Sequence, residues 1–375
     1  MEQSAIQISC SRQELVSELQ VVSRALATRS TIQALSGVLI NATNDEISLS
    51  ASDGELSIRS FLKATGATTG SVLAPGRLLV EVLRSLDGDE VVLKARAAQL
   101  SVSSKNANFT LRTLPTEDFP TLPHLSSDQA LTLPSEAVAQ TIDRVARAAS
   151  RDETRPVLTG VLVTASGTQL RMVATDSYRL SMKETQLSEA ISNNFETNVP
   201  ARALQELSRV VSDTKAEQIT IESQQNQVVF GVDRVVLASR VIDGQFPNYE
   251  RLLPDAYEHE IAFSRDEFLT VVRRIGLMAQ RNAPLRLKFD EGSVTVIAET
   301  PDVGEASESL PVNFQGETLE IGFNAQFLQD GLESLESDEL VLKLIHPHRP
   351  GLIEATPSGE GGRFLYLIMP VRLNV

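Results

Sequence analysis

The stretch Glu14-Leu15-Val16-Ser17-Glu18-Leu19-Gln20-Val21-Val22-Ser23-Arg24-Ala25-Leu26 places apolar side chains at Leu15, Leu19, Val22 and Leu26. That i, i+4, i+7, i+11 spacing predicts one buried face of a helix. The pattern returns as Val138, Ile142, Val145 and Ala149, and again as Phe268, Val272, Ile275 and Ala279. The copies lie roughly 125 residues apart, far beyond a solenoid repeat and suited to one compact domain each. The chain therefore reads as three similar domains, residues 1–123, 124–254 and 255–375.

Each copy carries a second helical segment: Pro75 to Leu86, Pro200 to Val211 and Asn324 to Leu335. Pro75 and Pro200 suit a first helical turn, whose N–H is unpaired anyway, and Asn324 is a good N-cap. A strand is expected after each, at Asp89–Lys94, Glu217–Glu222 and Asp338–Lys343. Leu35–Ile40, Leu158–Val163 and Pro284–Phe289 fill a common strand slot. Ile47–Ser60, Leu170–Met182 and Val294–Leu310 each read as strand, turn, strand. Consecutive strands without an interposed helix make this an α+β fold of two helices on antiparallel sheets, repeated three times. Proline clusters at Leu114-Pro115 to Leu122-Pro123 and at Phe246-Pro247 to Leu253-Pro254 predict stiff linkers.

The chain has 375 residues, 42% hydrophobic and 22% charged, an ordinary balance for a soluble protein with real cores. No apolar run approaches the roughly 20 residues a membrane span needs, and no signal pattern opens the chain. One cysteine, Cys10, excludes a disulfide framework and fits the cytoplasm. Its place in the alternating Ile6–Cys10 segment marks a buried thiol. A net charge of −15 argues against coating nucleic acid by bulk charge, although not against a local basic surface. Tryptophan is absent and aromatics are 5%, which leaves a base-stacking platform unsupported.

Motifs for bond-making chemistry are missing. His124, His259, His346 and His348 have no metal-ligand spacing, so neither metal nor cofactor is expected. No glycine-rich loop ends in Gly-Lys-Ser/Thr; Ser358-Gly359-Glu360-Gly361-Gly362 reads as a hairpin turn. Asp53 and Asp176 recur in Ala51-Ser52-Asp53-Gly54 and Ala174-Thr175-Asp176-Ser177. A hydrolase could use such acids, but aspartate in this setting closes a turn on its own backbone.

Arginine is the more informative residue. Arg77 and Arg84 lie seven apart on the second helix of copy one, and Arg202 and Arg209 repeat the arrangement in copy two. Arg144 and Arg147, and Arg273 and Arg274, add charge to the first helices of copies two and three. Two readings stand: intrahelical pairs with Glu81 and Glu206, or helices presenting arginine to phosphates without reading sequence. In copy three, Gln326 and Glu333 occupy the slots.

Ala174-Thr175-Asp176-Ser177-Tyr178-Arg179-Leu180, Asp243-Gly244-Gln245-Phe246-Pro247-Asn248-Tyr249 and Met369-Pro370-Val371-Arg372-Leu373 together resemble the bacterial sliding clamp, the beta subunit of DNA polymerase III. The resemblance runs from Ile6 to Leu373. It implies a processivity factor without catalysis: a head-to-tail homodimer closing into a six-domain ring around duplex DNA, bound without sequence preference. Helices would line the hole and sheets the rim. Partners would be the polymerase III catalytic subunit, the clamp loader and other proteins with a clamp-binding peptide. An acidic protein–protein scaffold with no DNA role is the alternative of a different class.

Carried over by residue, the resemblance implies a partner-peptide pocket at Leu158, Thr175, Ser177, Tyr178, Arg179, Leu180, Pro247, Arg251, Leu252, Asn324, Phe327, Met369, Pro370, Val371 and Arg372. Relatives often have glycine and histidine where Ser177 and Tyr178 stand. DNA-facing positions match Arg29, Arg77, Arg84, Arg151, Arg202 and Arg209. The ring interface matches Phe109 and Leu111 of one subunit and Ile275 and Leu277 of the other, with Gly276 in place of a bulkier residue.

Overall fold

Alternating apolar residues make a short strand ahead of each first helix, and the three copies then follow one order of elements. A computed structural model describes residues 6–43, 46–65, 67–126, 130–191, 194–279, 283–301, 303–356 and 362–373. Copy one runs β1 (Ile6–Ser11), α1 (Arg12–Val22), β2 (Gly37–Ala42), β3 (Glu46–Ser52), β4 (Leu56–Lys63), β5 (Gly70–Pro75), α2 (Gly76–Ser85), β6 (Glu90–Arg96), β7 (Gln99–Ser104) and β8 (Ala107–Arg112). Copy two runs β9 (Leu131–Pro134), α3 (Ser135–Val145), β10 (Gly160–Ser166), β11 (Gln169–Thr175), β12 (Arg179–Gln186), β13 (Phe195–Pro200), α4 (Ala201–Thr214), β14 (Gln218–Gln224), β15 (Gln227–Val232) and β16 (Val235–Arg240). Copy three runs β17 (His259–Ser264), α5 (Arg265–Gly276), β18 (Leu285–Asp290), β19 (Ser293–Thr300), β20 (Gly304–Pro311), β21 (Leu319–Phe323), α6 (Ala325–Glu333), β22 (Glu339–Leu344), β23 (Gly351–Thr356) and β24 (Phe364–Ile368).

The first helices bury the expected face: Leu15, Leu19 and Val22; Val138, Ile142 and Val145; Phe268, Val272 and Ile275. They end sooner than the periodicity implies. After α1 and α3 the chain tightens into 3₁₀ turns, Ser23–Ala25 and Ala146–Ala148. The tighter turn keeps the next residue over the core, and Leu26 is buried without being helical. Pro75 and Pro200 also differ from expectation. Each ends a strand, opposite Gly37 and Gly160, so the helix starts one residue later. A missing N–H costs nothing at the close of an edge strand. Asn324 caps α6 as expected, its Oδ1 accepting from the Phe327 N–H at 3.1 Å. Ser358–Gly361 lie outside the described residues.

The chain forms two compact units, Met1–Glu136 with Glu206–Val241, and Ala137–Gln205 with Ile242–Val375. The first unit holds a sheet of order β1-β6-β7-β8 and one of order β5-β2-β3-β4-β16-β15-β14-β9. The second holds β13-β10-β11-β12-β24-β23-β22-β17 and β20-β19-β18-β21. The ladders are antiparallel, including β16 with β4 and β12 with β24, so strands of adjacent copies share each long sheet.

An apolar row crosses each repeat at equivalent positions. It runs Ile8–Leu93–Val102–Phe109 in copy one. It runs Leu131–Ile221–Phe230–Leu237 in copy two and Ile261–Leu342–Ile353–Tyr366 in copy three. Leu237 then meets Ile58 of β4, and Tyr366 meets Ser181 of β12. Among the described residues Phe109 meets no further strand; it is 39% exposed, whereas Leu237 and Tyr366 are 1% exposed. No helix among the described residues is long and apolar enough to cross a membrane.

Candidate functional site

The turn from β11 to β12 is built by side chains that bond their own backbone. Asp176 Oδ1 accepts from the N–H groups of Tyr178 and Arg179, both at 2.9 Å. Thr175 Oγ1 donates to the Arg179 carbonyl at 2.7 Å. Asp53 closes the matching turn of copy one, accepting from Glu55 N at 3.0 Å and Leu56 N at 2.8 Å. Both carboxylates are thus committed to turn geometry. Ser177 sits at φ +80°, a left-handed conformation. Its Oγ accepts from Arg155 Nη1 at 3.1 Å, and Arg155 also pairs with Asp152.

The tight turn aims Arg179 back across the sheet. Its Nε donates to Asp176 Oδ2 at 3.1 Å, its Nη1 pairs with Asp330 on α6, and its Nη2 donates to the Arg147 carbonyl at 2.6 Å. The guanidinium also lies 4.3 Å from the ring centroid of Phe327, a cation–π distance. Burial alone would lower the Arg179 pKa, but the Tyr366 hydroxyl and the Asp330 carboxylate outweigh it and keep the group charged. Burial pushes the Tyr366 phenol up despite the nearby arginine, so its O–H stays protonated and donates to the Phe327 carbonyl at 2.9 Å. Gly331 makes this approach possible, since a Cβ there would stand 2.6 Å from the Tyr366 ring.

The remaining candidate pocket residues belong to the same unit. Met369 N donates to the Tyr178 carbonyl at 2.8 Å, holding the segment after β24 beside the turn. Val371 N donates to Gly322 O at 2.8 Å, extending the same segment along β21. Beneath lie Leu180, Tyr249, Leu365 and Leu367, with Phe246 and Leu253 packed against them. Leu158, Thr175 and Leu180 are buried. Tyr178, Leu252 and Met369 are large apolar groups left exposed, while Ser177, Pro247, Arg251 and Arg372 also lie at the surface and Asn324, Phe327, Pro370 and Val371 are half-buried. The arrangement offers exposed apolar anchors beside a fixed cation. Sequence reading missed Asp330, Tyr366 and Arg155. The available signal was Asp330, an acid three residues after Phe327 on a largely apolar helix.

The candidate DNA-facing residues Arg29, Arg77, Arg84, Arg151, Arg202 and Arg209 are all exposed. Arg209 pairs with Glu206 at 2.6 Å, as the intrahelical reading expects. Arg84 lies against α1's Gln20, whose amide, turned so that its oxygen faces the guanidinium, accepts from Nη2 at 2.9 Å. Of the candidate interface residues, Leu277 is 82% exposed and Phe109 partly so. Leu111 and Ile275 are buried inside their own copies. Gly276 has room: a Cβ would meet only Ala325 Cβ at 3.8 Å. Cys10 is buried, and burial with Glu14 and Glu90 nearby pushes its thiol up to about 12, which makes it inert. Among the described residues no three His, Cys, Asp or Glu side chains converge on a metal-sized site.

Comparison with known proteins covers the whole chain. Profiles of the DNA polymerase III beta subunit match in three pieces: N-terminal domain at residues 6–123, central domain at 132–248 and C-terminal domain at 250–372. The Beta sliding clamp of Staphylococcus aureus is 31% identical over 379 residues, covering 98% of this chain and 99% of that protein. The DNA polymerase sliding clamp of Bacillus subtilis superposes with a TM-score of 0.92 at 30% identity, covering 99% of this chain and 100% of that one. A Pseudomonas aeruginosa sliding clamp, solved bound to griselimycin, gives 0.91 at 26% identity, with 99% and 100% covered.

Proposed function

The chain belongs to the DNA polymerase III beta subunit family, the bacterial sliding clamps that act as processivity factors, and we propose that it works as a homodimer closed head to tail by pairing β8 of one copy with β20 of the other. The observation that carries this reading is the repeated junction. β16 pairs with β4 and β24 with β12 within the chain. Of the strands equivalent to these, β8 matches β16 and β24, β20 matches β4 and β12, and both lie at sheet ends. The register follows too. Ile58 and Ser181, which meet Leu237 and Tyr366, are paired on their other side with Ala51 and Ala174. Ala306 of β20 is paired with Ala298 in the same way. Ala306 therefore stands opposite Phe109 of the second copy, and exposed Leu277 supplies further apolar contact. An unpaired strand edge is a template for such addition.

Three repeats per chain, with limits near 1–123, 124–254 and 255–375, then make a six-domain ring around duplex DNA. The exposed arginines face backbone phosphates, which carry no sequence information. The net charge of −15 keeps the remaining surface from adhering to DNA. The groove around Arg179, Phe327 and Met369 receives an extended peptide from the polymerase, the clamp loader or other users of the clamp. The protein makes no bonds, needs no cofactor and works in the cytoplasm. Loading onto nicked circular DNA followed by linearisation tests the reading. Release on linearisation is expected, and retention would overturn topological binding. Loss of peptide binding with dimer formation and loader-free binding of a short linear duplex intact when Phe327 is changed to Ala separates the two surfaces.

A further inference from the structure

Resting on the reading that the helices face duplex DNA, we propose that Arg147 and Arg273 form an additional site for backbone phosphodiesters, with Glu333 as a resident anion that phosphate displaces. Glu333 Oε2 accepts from Arg147 Nη1 at 2.9 Å, and Oε1 accepts from Arg273 Nη2 at 2.8 Å and from Gln329 Nε2 at 2.7 Å. Both arginines are about half exposed and Glu333 is less so. One carboxylate therefore holds two guanidiniums, and the cluster keeps a surplus positive charge at the surface.

Its position in the repeat points to DNA. Arg84, Arg209 and Glu333 are each the ninth residue of α2, α4 and α6; Gln20 and Arg273 are each the ninth residue of α1 and α5. In copy one the contact between these slots is Gln20 with Arg84. In copy three it is Arg273 with Glu333, so the cation has moved to the neighbouring helix without leaving the spot. Arg147, from the 3₁₀ turn after α3, adds a second cation on the other side. The loss of arginine from α6 is made up from both flanks, and the acid between them tempers the site. A strong anion site would slow sliding; a cation pair half-neutralised by its own carboxylate binds phosphate weakly and reversibly.

Fluorescence anisotropy of a short labelled duplex with the full-length protein, repeated across a salt series, tests this. A linear duplex can enter a closed ring from its end, so no loader is required. Glu333→Gln is expected to steepen the slope of log affinity against log salt by about one. R147Q/R273Q is expected to flatten it by one to two. Adding E333Q to that double variant should restore nothing, and Arg273→Lys should keep the wild-type slope. Unchanged slopes in both E333Q and R147Q/R273Q, with normal thermal unfolding, would overturn the site. Arg77→Gln with Arg202→Gln separates the causes. If that pair flattens the slope while the Glu333 cluster does not matter, only this inference fails; if it too has no effect, the DNA-facing reading fails with it.

Discussion

Arg179 stacks its guanidinium on the ring of Phe327 while its far nitrogen holds the Arg147 carbonyl. One side chain from the β11–β12 turn thereby fixes α6 and the end of α3 together. Removing it leaves Asp176 and Asp330, both mostly buried, facing each other without their cation. Arg179→Ala is expected to cost about 3–5 kcal/mol, the scale for breaking a buried pair from one side. Phe327→Ala keeps the charges and removes the apolar wall. It should weaken a clamp-binding peptide by about 10- to 100-fold, since burying one large side chain contributes about 1.5–3 kcal/mol. Calorimetry on the peptide and thermal unfolding read the two effects apart.

The register of the ring interface is directly testable by cross-linking. If Ala306 stands opposite Phe109 of the second copy, then Ser307 stands opposite Asn108, on the solvent side of both strands. Cysteines at these two positions should form an intermolecular disulfide on mild oxidation, giving a covalent dimer on a denaturing gel. Cross-strand partners have Cβ atoms about 4.5–5.5 Å apart, within small adjustment of a disulfide. Pairing N108C with S309C, two residues out of register, should cross-link poorly. Cys10 adds little background because it is buried and its thiol is pushed up to about 12. Equal yields from both pairs would remove the register.

Much of the fold was legible because helical and strand periods report burial directly. Leu15, Val138 and Phe268 each mark a face that is buried. The helix ends were not legible, since a 3₁₀ turn continues the apolar pattern and conceals where α1 stops. Pro75 and Pro200 misled by one residue, because proline suits both the last strand position and the first helical one. The candidate pocket rests on the resemblance alone. Its anchors are set by contacts far apart in the chain: Arg179 to Asp330, and Tyr366 to the Phe327 carbonyl. No local pattern encodes such pairs. Ile275 shows the opposite limit. Two neighbours matched alike to the interface differ in burial, Ile275 packing in its own copy while Leu277 is exposed, and the matched pattern does not foretell that difference.

Ser177 carries two opposing effects that substitutions can separate. Its left-handed φ of +80° disfavours any side chain by about 1–2 kcal/mol. Its hydroxyl accepts from Arg155, a bond worth about 1 kcal/mol. Ser177→Ala loses the bond and keeps the strain, so it should destabilise by about 1 kcal/mol. Ser177→Gly loses the bond and relieves the strain, so it should be neutral or slightly stabilising. Urea unfolding of the three proteins checks the order; a Gly variant less stable than the Ala variant would contradict it.

Lys183 gives a pH dependence whose sign is fixed by its surroundings. It is buried on β12, where Nζ donates to the Gly362 carbonyl at 3.3 Å. Burial, with Arg144 nearby, pushes its ammonium down to about 8. The folded-state value is thus below that of an unfolded lysine, about 10.4. Between those values the unfolded chain binds the extra proton, so stability from this group rises with pH. Below pH 8 both states are charged, and the folded state bears the full penalty of roughly 3 kcal/mol. Lys183→Met removes that penalty together with the polar contacts of Nζ, among them the bond to Gly362, worth about 1 kcal/mol. The variant should therefore be more stable than wild type by about 2 kcal/mol near neutral pH. The advantage should shrink and reverse as pH approaches the unfolded value, because wild-type Lys183 is then neutral and keeps its bond. Urea unfolding of both proteins at two pH values isolates the effect, since every other lysine and tyrosine titrates alike in the pair. A difference that stays constant with pH would mean Lys183 is not held charged against burial.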